Sequence, residues 1–170
     1  MAVAKIDILW ITAVLGGDGD TAASGRSPNP QPATDSLPPL NEQRDVKRLI
    51  LCIEDNPANL ALVRAILDVR PNIELISALQ GQLGIDLARK HLPALILLDL
   101  HLPDLTGQEV LAKLRSNEDT RHIPVVVTSA DASPGRIKAL LEQGADAYLT
   151  KPLDIIEFCR VVDEQINQRP

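Results

Sequence analysis

The chain has 170 residues, 45% of them hydrophobic, with 17 Lys and Arg against 23 Asp and Glu and a net charge of −6. That length fits one domain with a tail, and an acidic chain without a dense Lys/Arg cluster is not built for general nucleic-acid binding. Trp10, Tyr148 and Phe158 are the whole aromatic set, so the core is aliphatic, and no run approaches the roughly 18 to 20 apolar residues of a membrane span.

Residues 1–15 hold a short apolar segment preceded by a single basic residue, Lys5, with Asp7 next to the apolar run. Those flanks do not suit a secretory signal, so the expected compartment is the cytoplasm. The role of this segment is open: a lone strand, the end of an upstream domain, or a docking piece. In residues 16–45, Gly16-Gly17-Asp18-Gly19-Asp20 is followed by Pro28, Pro30, Pro32, Pro38 and Pro39 among polar residues. No hydrophobic period survives there, and the composition is that of a flexible, partly extended linker. The third part, residues 46–170, is regular throughout.

Leu49-Ile50-Leu51-Cys52-Ile53 is a buried-strand run ending in Glu54-Asp55. Asn56 offers a helix N-cap and Pro57 suits the first helical position, with Leu60, Val63, Ile66 and Leu67 at helical spacing until Pro71-Asn72. A short strand is predicted over residues 73–77, then a helix over 82–91 with Leu83 and Leu87 inward, weakened at its start by Gly81 and Gly84. Leu95-Ile96-Leu97-Leu98 runs straight into Asp99, and a third helix follows over residues 107–115 with Val110, Leu111 and Leu114 apolar. Residues 123–127 form the fourth strand, leading into Thr128-Ser129, and residues 134–143 the fourth helix, stopped by Gly144. The fifth strand covers residues 145–149 before Lys151-Pro152, and the fifth helix residues 155–166, with Ile155, Cys159, Val162 and Ile166 on one face. Cys52 and Cys159 lie in apolar surroundings without metal-ligand spacing and are expected as small hydrophobes rather than a disulfide.

Strand–helix alternation of this kind makes an α/β domain, a doubly wound and mostly parallel sheet with helices on both faces. All strand carboxyl ends then share one edge, where open α/β sheets bind ligands. Glu54-Asp55, Asp99, Thr128-Ser129 and Lys151 each follow a different strand, so three carboxylates, a hydroxyl and an ammonium converge. Taken singly, each could be a cap or a solvated side chain; together they form a specific set. Carboxylates this close repel one another and call for a hard, oxygen-seeking cation, Mg²⁺ in a cell. With a lysine and a hydroxyl added, the set suits phosphoryl transfer, and a carboxylate can itself be the nucleophile.

Residues 46–170 resemble the receiver domain of two-component response regulators. The resemblance rests on Glu54-Asp55-Asn56-Pro57, on the run from Leu97 through Asp99, Pro103 and Gly107, on Pro124 through Ala132, and on Ala145-Asp146-Ala147-Tyr148-Leu149-Thr150-Lys151-Pro152. It implies a flavodoxin-like (βα)5 fold of strand order 2-1-3-4-5, with Asp99 as phosphoacceptor and Asp55 as a direct Mg²⁺ ligand. Glu54 binds the ion through water or a second contact, and the backbone carbonyl of His101 supplies another ligand. Lys151 pairs with Asp99 and later with the phosphoryl oxygens. Ser129 rather than Thr128 takes the hydroxyl role, because its distance along the chain from Asp99 and Lys151 fits and alternation turns Thr128 to the other face. Tyr148 is the aromatic that changes rotamer on activation, and the Lys151-Pro152 bond is cis. His101 and Asp131 occupy the variable positions that tune the lifetime of the aspartyl-phosphate. Ala94 stands where an aspartate is frequent, at the far end of its strand.

The implied partners are a sensor histidine kinase or histidine phosphotransfer protein as donor, and a downstream protein reading the face of the fourth helix, fifth strand and fifth helix. No nucleic acid and no membrane enter this reading. The chain is expected not to be an enzyme beyond its own phosphorylation and dephosphorylation, and its end after the fifth helix is expected to leave output to protein contacts. A stand-alone regulator is preferred over the carboxyl-terminal receiver of a hybrid histidine kinase because the chain opens on its own Met1. A haloacid-dehalogenase-type hydrolase would need an aspartate where His101 stands, and a flavin module would need a phosphate loop where Glu54-Asp55 stands. A receiver kept only as a docking module is opposed by the intact acidic set.

Overall fold

Five strands alternate with five helices along the chain: β1 (Arg48–Ile53), α1 (Pro57–Asp68), β2 (Ile73–Ala78), α2 (Gly81–His91), β3 (Leu95–Asp99), α3 (Gly107–Ser116), β4 (Val125–Ser129), α4 (Pro134–Glu142), β5 (Ala147–Thr150) and α5 (Ile155–Asn167). The structure, a computed structural model, describes residues 47–167; the expected amino-terminal segment and linker lie outside the described residues. The strands form one parallel sheet in the order β2-β1-β3-β4-β5, the doubly wound, flavodoxin-like order.

The central strands explain why their sequence is apolar without alternation. Every residue of β3 and β4 is buried, and successive residues feed opposite cores. Ile96, Leu98, Val125 and Val127 pack with Ile85 and Ala88 of α2, Val110, Leu111 and Leu114 of α3, and Leu140 of α4. Leu95, Leu97 and Val126 pack on the other face with Val63, Ile66 and Leu67 of α1 and Phe158, Val161, Val162 and Ile166 of α5. Helices α1 and α5 therefore cover one face, and α2, α3 and α4 the other.

Helix starts and stops follow local chemistry. Asn56 caps α1 by accepting from the N–H groups of Ala58 (2.9 Å) and Asn59 (3.3 Å), with Pro57 at the first helical position. Thr106 and Glu109 close a reciprocal capping box on α3. Gly144, at φ +100°, ends α4 in a left-handed conformation.

Four expectations need correction. Leu83 does not face inward; it is 45% exposed, and α2 buries Gly81, Gly84, Ile85 and Ala88 instead, with Leu87 half-buried. Glycine carries no weight in a hydrophobic pattern, yet here it is the residue that lets the helix approach the sheet. Ile155 is 55% exposed, because the inward face of α5 runs through Phe158, Val161, Val162, Gln165 and Ile166, with Cys159 half-buried beside it. Strand β4 starts two residues later than expected: Ile123 closes a turn onto Thr120, Pro124 has no N–H to donate, and the ladder begins at Val125. Strand β5 is likewise displaced, since the N–H of Ala145 still bonds Leu140 at the end of α4.

Candidate functional site

Strands β1 and β3 are neighbours in the middle of the sheet, and their register pairs Ile53 with Leu98. The next residues, Glu54 just past the end of β1 and Asp99 as the last residue of β3, lie side by side at the sheet's carboxyl edge. Strand β4 ends beside them at Ser129, and β5 leads into Lys151, whose N–H donates to the Ser129 carbonyl at 2.8 Å. The Lys151-Pro152 bond is cis, as the resemblance implies.

At this edge the Lys151 ammonium lies between two buried carboxylates, 2.8 Å from Glu54 Oε2 and 2.9 Å from Asp99 Oδ2. Burial would pull the lysine's pKa down, but the bonds to Glu54 and Asp99 outweigh it and hold the pKa above the usual lysine value. The ammonium therefore stays charged. Glu54 is held at both oxygens: its Oε1 also accepts from the Asn56 N–H (3.2 Å) and the Asn59 side-chain amide (3.0 Å). Asp99 Oδ1 accepts from the His101 N–H at 3.3 Å. Asp55, in contrast, is exposed and makes no hydrogen bond or ion pair with a described residue.

Glu54, Asp55 and Asp99 each offer an oxygen within 4.8 Å of the others. One ammonium against three carboxylates leaves the cleft net negative, and the free Asp55 oxygens face no donor. That donor set, all oxygen and partly open, fits a hard divalent cation better than any soft-ligand metal.

Ser129 is buried at the end of β4, its hydroxyl accepting from the Asp131 N–H at 3.2 Å. The β3–β4 register pairs Asp99 with Thr128, and the Thr128 hydroxyl reaches the Leu98 carbonyl at 3.5 Å. Thr128 thus shares Asp99's face of the sheet and Ser129 lies one residue beyond, so alternation alone does not set Thr128 aside. The Tyr148 hydroxyl donates to the Asp131 carbonyl, and its ring packs on the core shared by α2, α3 and α4. Asp131 itself bends back to accept from the Ser133 N–H at 3.0 Å. Behind the site, burial and then the Glu54 charge push the Cys52 thiol up to about 12, so it is an inert neutral thiol. Cys159 is also free.

Three contributors were not among the expected site residues. Asn59 holds Glu54 from the first turn of α1; its signal was its place five residues after Glu54 in a helix capped by Asn56. Gly107 backs Asp99: a Cβ there would lie 2.4 Å from the Asp99 carbonyl oxygen and 2.7 Å from Leu100 Cα, and its N–H donates to the Leu100 carbonyl. Asp104 accepts from two N–H groups of α2, a contact between residues 22 and 23 positions apart that no local pattern announces.

Backbone N–H donors hold several carboxyls below the usual range: those of Gln82 and Gly81 at Asp104, that of Thr106 at Glu109, and that of Ser133 at Asp131. A carboxyl depressed on folding contributes stability that is complete above its unfolded pKa and is lost as pH falls through the folded one. Glu109→Gln, which keeps the capping geometry but not the titration, is therefore expected to show a shallower fall in Tm below about pH 4 than wild type. Equal slopes in thermal melts across that range would contradict this role for Glu109.

The family model described as response regulator receiver domain matches residues 50–163, across both central strands, the acidic cluster and Lys151. The chain belongs to the response regulator receiver domain family. Among its relatives is the polar-differentiation response regulator DivK of Brucella ovis, 35% identical over 118 residues that cover 69% of this chain and 95% of that protein. Among solved structures it resembles the receiver domain of sensor histidine kinase PA1611 from Pseudomonas aeruginosa PAO1. That chain is 28% identical at a TM-score of 0.65, with 71% of this chain and 98% of that one covered, and it was solved with a magnesium ion coordinated in its active-site cleft. The Mn²⁺-bound form of response regulator Rcp1 is 32% identical at a TM-score of 0.59, covering 68% of this chain and 88% of its own.

The receiver's described part thus brings together Glu54, Asp55, Asp99 and Lys151, and sets Ser129 on the same edge. It keeps the Tyr148 hydroxyl on the β4–α4 loop and leaves the His101 side chain exposed beside Asp99. No helix among the described residues is long and apolar enough to cross a membrane.

Proposed function

We propose that this receiver accepts a phosphoryl group on Asp99, with Mg²⁺, from a sensor histidine kinase or a histidine phosphotransfer protein. The observation that carries the reading is a buried carboxylate at a strand end, gripped by a charged lysine and flanked by an open acidic oxygen set. When bound by Asp55 and Asp99, with Glu54 and the His101 carbonyl completing the set, Mg²⁺ would supply charge neutralisation for the incoming phosphoryl oxygens.

The chain's own residues do the rest. Lys151 holds the Asp99 carboxylate in one orientation, and the His101 N–H touches its second oxygen. An Asp99 oxygen attacks phosphorus as the donor's N–P bond breaks, and the departing imidazole keeps the bonding pair and takes up a proton. Lys151 then faces the phosphoryl oxygens. The Ser129 hydroxyl, which in this structure accepts from Asp131 N–H and still has its own proton to give, serves as a second donor. Because Ser129 and Tyr148 both bond the backbone of Asp131, a shift of Ser129 is carried to Tyr148 through one residue. That is a local electrostatic event biasing a bistable loop. Asp131 and the exposed His101 stand at the mouth of the site and would set the lifetime of the product.

Helix α1 and its C-cap present an exposed apolar stripe at Ala58, Ala61, Leu62, Ala65 and Val69, suited to a donor helix laid beside the cleft. Helix α4 exposes Leu141 and is the side from which a downstream protein would read the Tyr148 change across α4, β5 and α5. On this reading the chain is a phosphoacceptor rather than a turnover enzyme, works in the cytoplasm with its donors, and uses neither nucleic acid nor membrane.

Intact mass after incubation with acetyl phosphate is the test. Wild type is expected to gain one phosphoryl group in Mg²⁺ and none once the metal is chelated. No gain in Mg²⁺ would remove the reading.

A further inference from the structure

Helix α2 starts poorly on its own account. Its N-cap residue, Gln80, makes no side-chain capping bond, and its first turn contains Gly81 and Gly84 and no acidic residue. Such a start leaves N–H groups without partners and the positive end of the helix dipole unopposed. Asp104, at the tip of the loop between β3 and α3, closes it from outside: one carboxylate oxygen accepts from the Gly81 N–H at 2.7 Å and the other from the Gln82 N–H at 2.9 Å.

The same turn has no room to slide. A Cβ on Gly81 would come within 2.7 Å of Val110 Cγ2 and 3.1 Å of Leu105 Cβ, and one on Gly84 within 2.4 Å of Ile53 Cδ1. The start of α2 is therefore seated on Ile53, the residue before Glu54, and on the loop that follows Asp99. That loop is a closed excursion. At its base the Gly107 N–H bonds the Leu100 carbonyl, His101 and Thr106 pair antiparallel, and the His101 N–H touches Asp99 Oδ1. Its tip, Asp104, is exposed except for the grip on α2.

We propose that Asp104 is a positioning residue for the Asp99 site: by clamping the loop tip to α2 it fixes the His101 peptide against the phosphoacceptor. The clamp also refers that peptide to β1, because the helix it holds is packed on Ile53. Its consequence for rate rests on the phosphoacceptor reading above; the anchoring itself does not. Leu102 and Leu105, half-buried on the core, keep the loop from being lost without Asp104, so the effect is one of precision.

Helix capping and loop anchoring can be separated, because Gln80 already has the extended backbone (φ −141°, ψ 147°) of a capping serine. The full chain is compared as wild type, Asp104→Ala, Gln80→Ser and the double variant, by hydrogen exchange of residues 81–85 and 100–107 and by the rate of phosphorylation from acetyl phosphate in Mg²⁺. Asp104→Ala is expected to speed exchange in both segments and slow phosphorylation roughly tenfold. Adding Gln80→Ser is expected to restore protection of residues 81–85 while residues 100–107 stay fast and phosphorylation stays slow. If Gln80→Ser restores the loop and the rate as well, Asp104 is only a cap and the proposal fails. It fails too if Asp104→Ala leaves residues 100–107 as protected as wild type. Should wild type take up no phosphoryl group, the phosphoacceptor reading falls, and the exchange of residues 100–107 still decides the role of Asp104.

Discussion

Asp99→Asn is expected to abolish phosphorylation by acetyl phosphate while leaving the metal-free fold as stable as wild type to within about 1 kcal/mol. The first half follows from chemistry, since an amide oxygen at this position is not a carboxylate nucleophile. The second half is a balance. The Asp99 charge makes one attraction, to Lys151 at 2.9 Å, and two repulsions, from Glu54 and Asp55 with oxygens within 4.8 Å. At an effective dielectric constant of about 20, a single such contact is worth on the order of 4 kcal/mol before screening, so one attraction against two longer repulsions nearly cancels. Lys151 is not stranded, because Glu54 still holds it at 2.8 Å. Divalent cation is a separate matter. Mg²⁺ at a hundredfold excess over its dissociation constant would stabilise wild type by roughly 2.7 kcal/mol, and removing one of three carboxylates is expected to erase most of that rise in Tm. Intact mass and paired melts with and without Mg²⁺ report all three quantities. A phosphorylated Asn variant, or an undiminished Mg²⁺ effect, would mean the acceptor or the cation sits elsewhere.

Gly107→Ala should be the most damaging small substitution near the site, costing about 2 to 3 kcal/mol. The two closest atoms the added methyl meets are backbone, which cannot swing away as a side chain can: the Asp99 carbonyl oxygen at 2.4 Å and Leu100 Cα at 2.7 Å. Asp99 ends β3 and Leu100 follows it directly, both buried, so relief must come by shifting Asp99 or by moving the start of α3 with its capping box. Tm is expected to fall by roughly 5 to 15 °C, and residual phosphorylation to be slow even in the folded fraction. Gly135→Ala is the control. It adds the same methyl in helix α4 with nothing within 4 Å, so better helix propensity should make it neutral or stabilising by up to about 1 kcal/mol. If denaturant unfolding places the two variants together, the packing argument for Gly107 is wrong.

Much of this receiver was legible in its sequence. Apolar runs without alternation at Ile50–Ile53 and from Leu95 to Leu98 read as strands covered on both faces, and the strand–helix alternation then made the sheet parallel. A parallel sheet brings strand ends to one edge, so Glu54, Asp55, Asp99 and Lys151 could be grouped before any coordinate was known, and they are grouped. The order of the strands came from the resemblance, because periodicity says which residues are buried but not which strand lies beside which.

What periodicity could not report was decided by packing between elements. It placed Leu83 and Ile155 inward, whereas α2 turns its glycines to the sheet and α5 turns Phe158. Hydrophobic spacing measures side-chain character along one element, and a glycine that permits the closest approach is silent in it. The same holds for bonds between distant residues. Lys151 was expected to pair with Asp99, and its second bond to Glu54, 97 positions away, had no local signature. Nor did the grip of Asp104 on α2. The sequence by itself determined the elements and the edge where the reactive groups meet, because strand and helix formation depend on neighbours along the chain. Only the tertiary structure decided which face each helix turns inward, what holds Glu54 in place and what holds the loop behind Asp99, because those depend on atoms that become neighbours only once the sheet has formed.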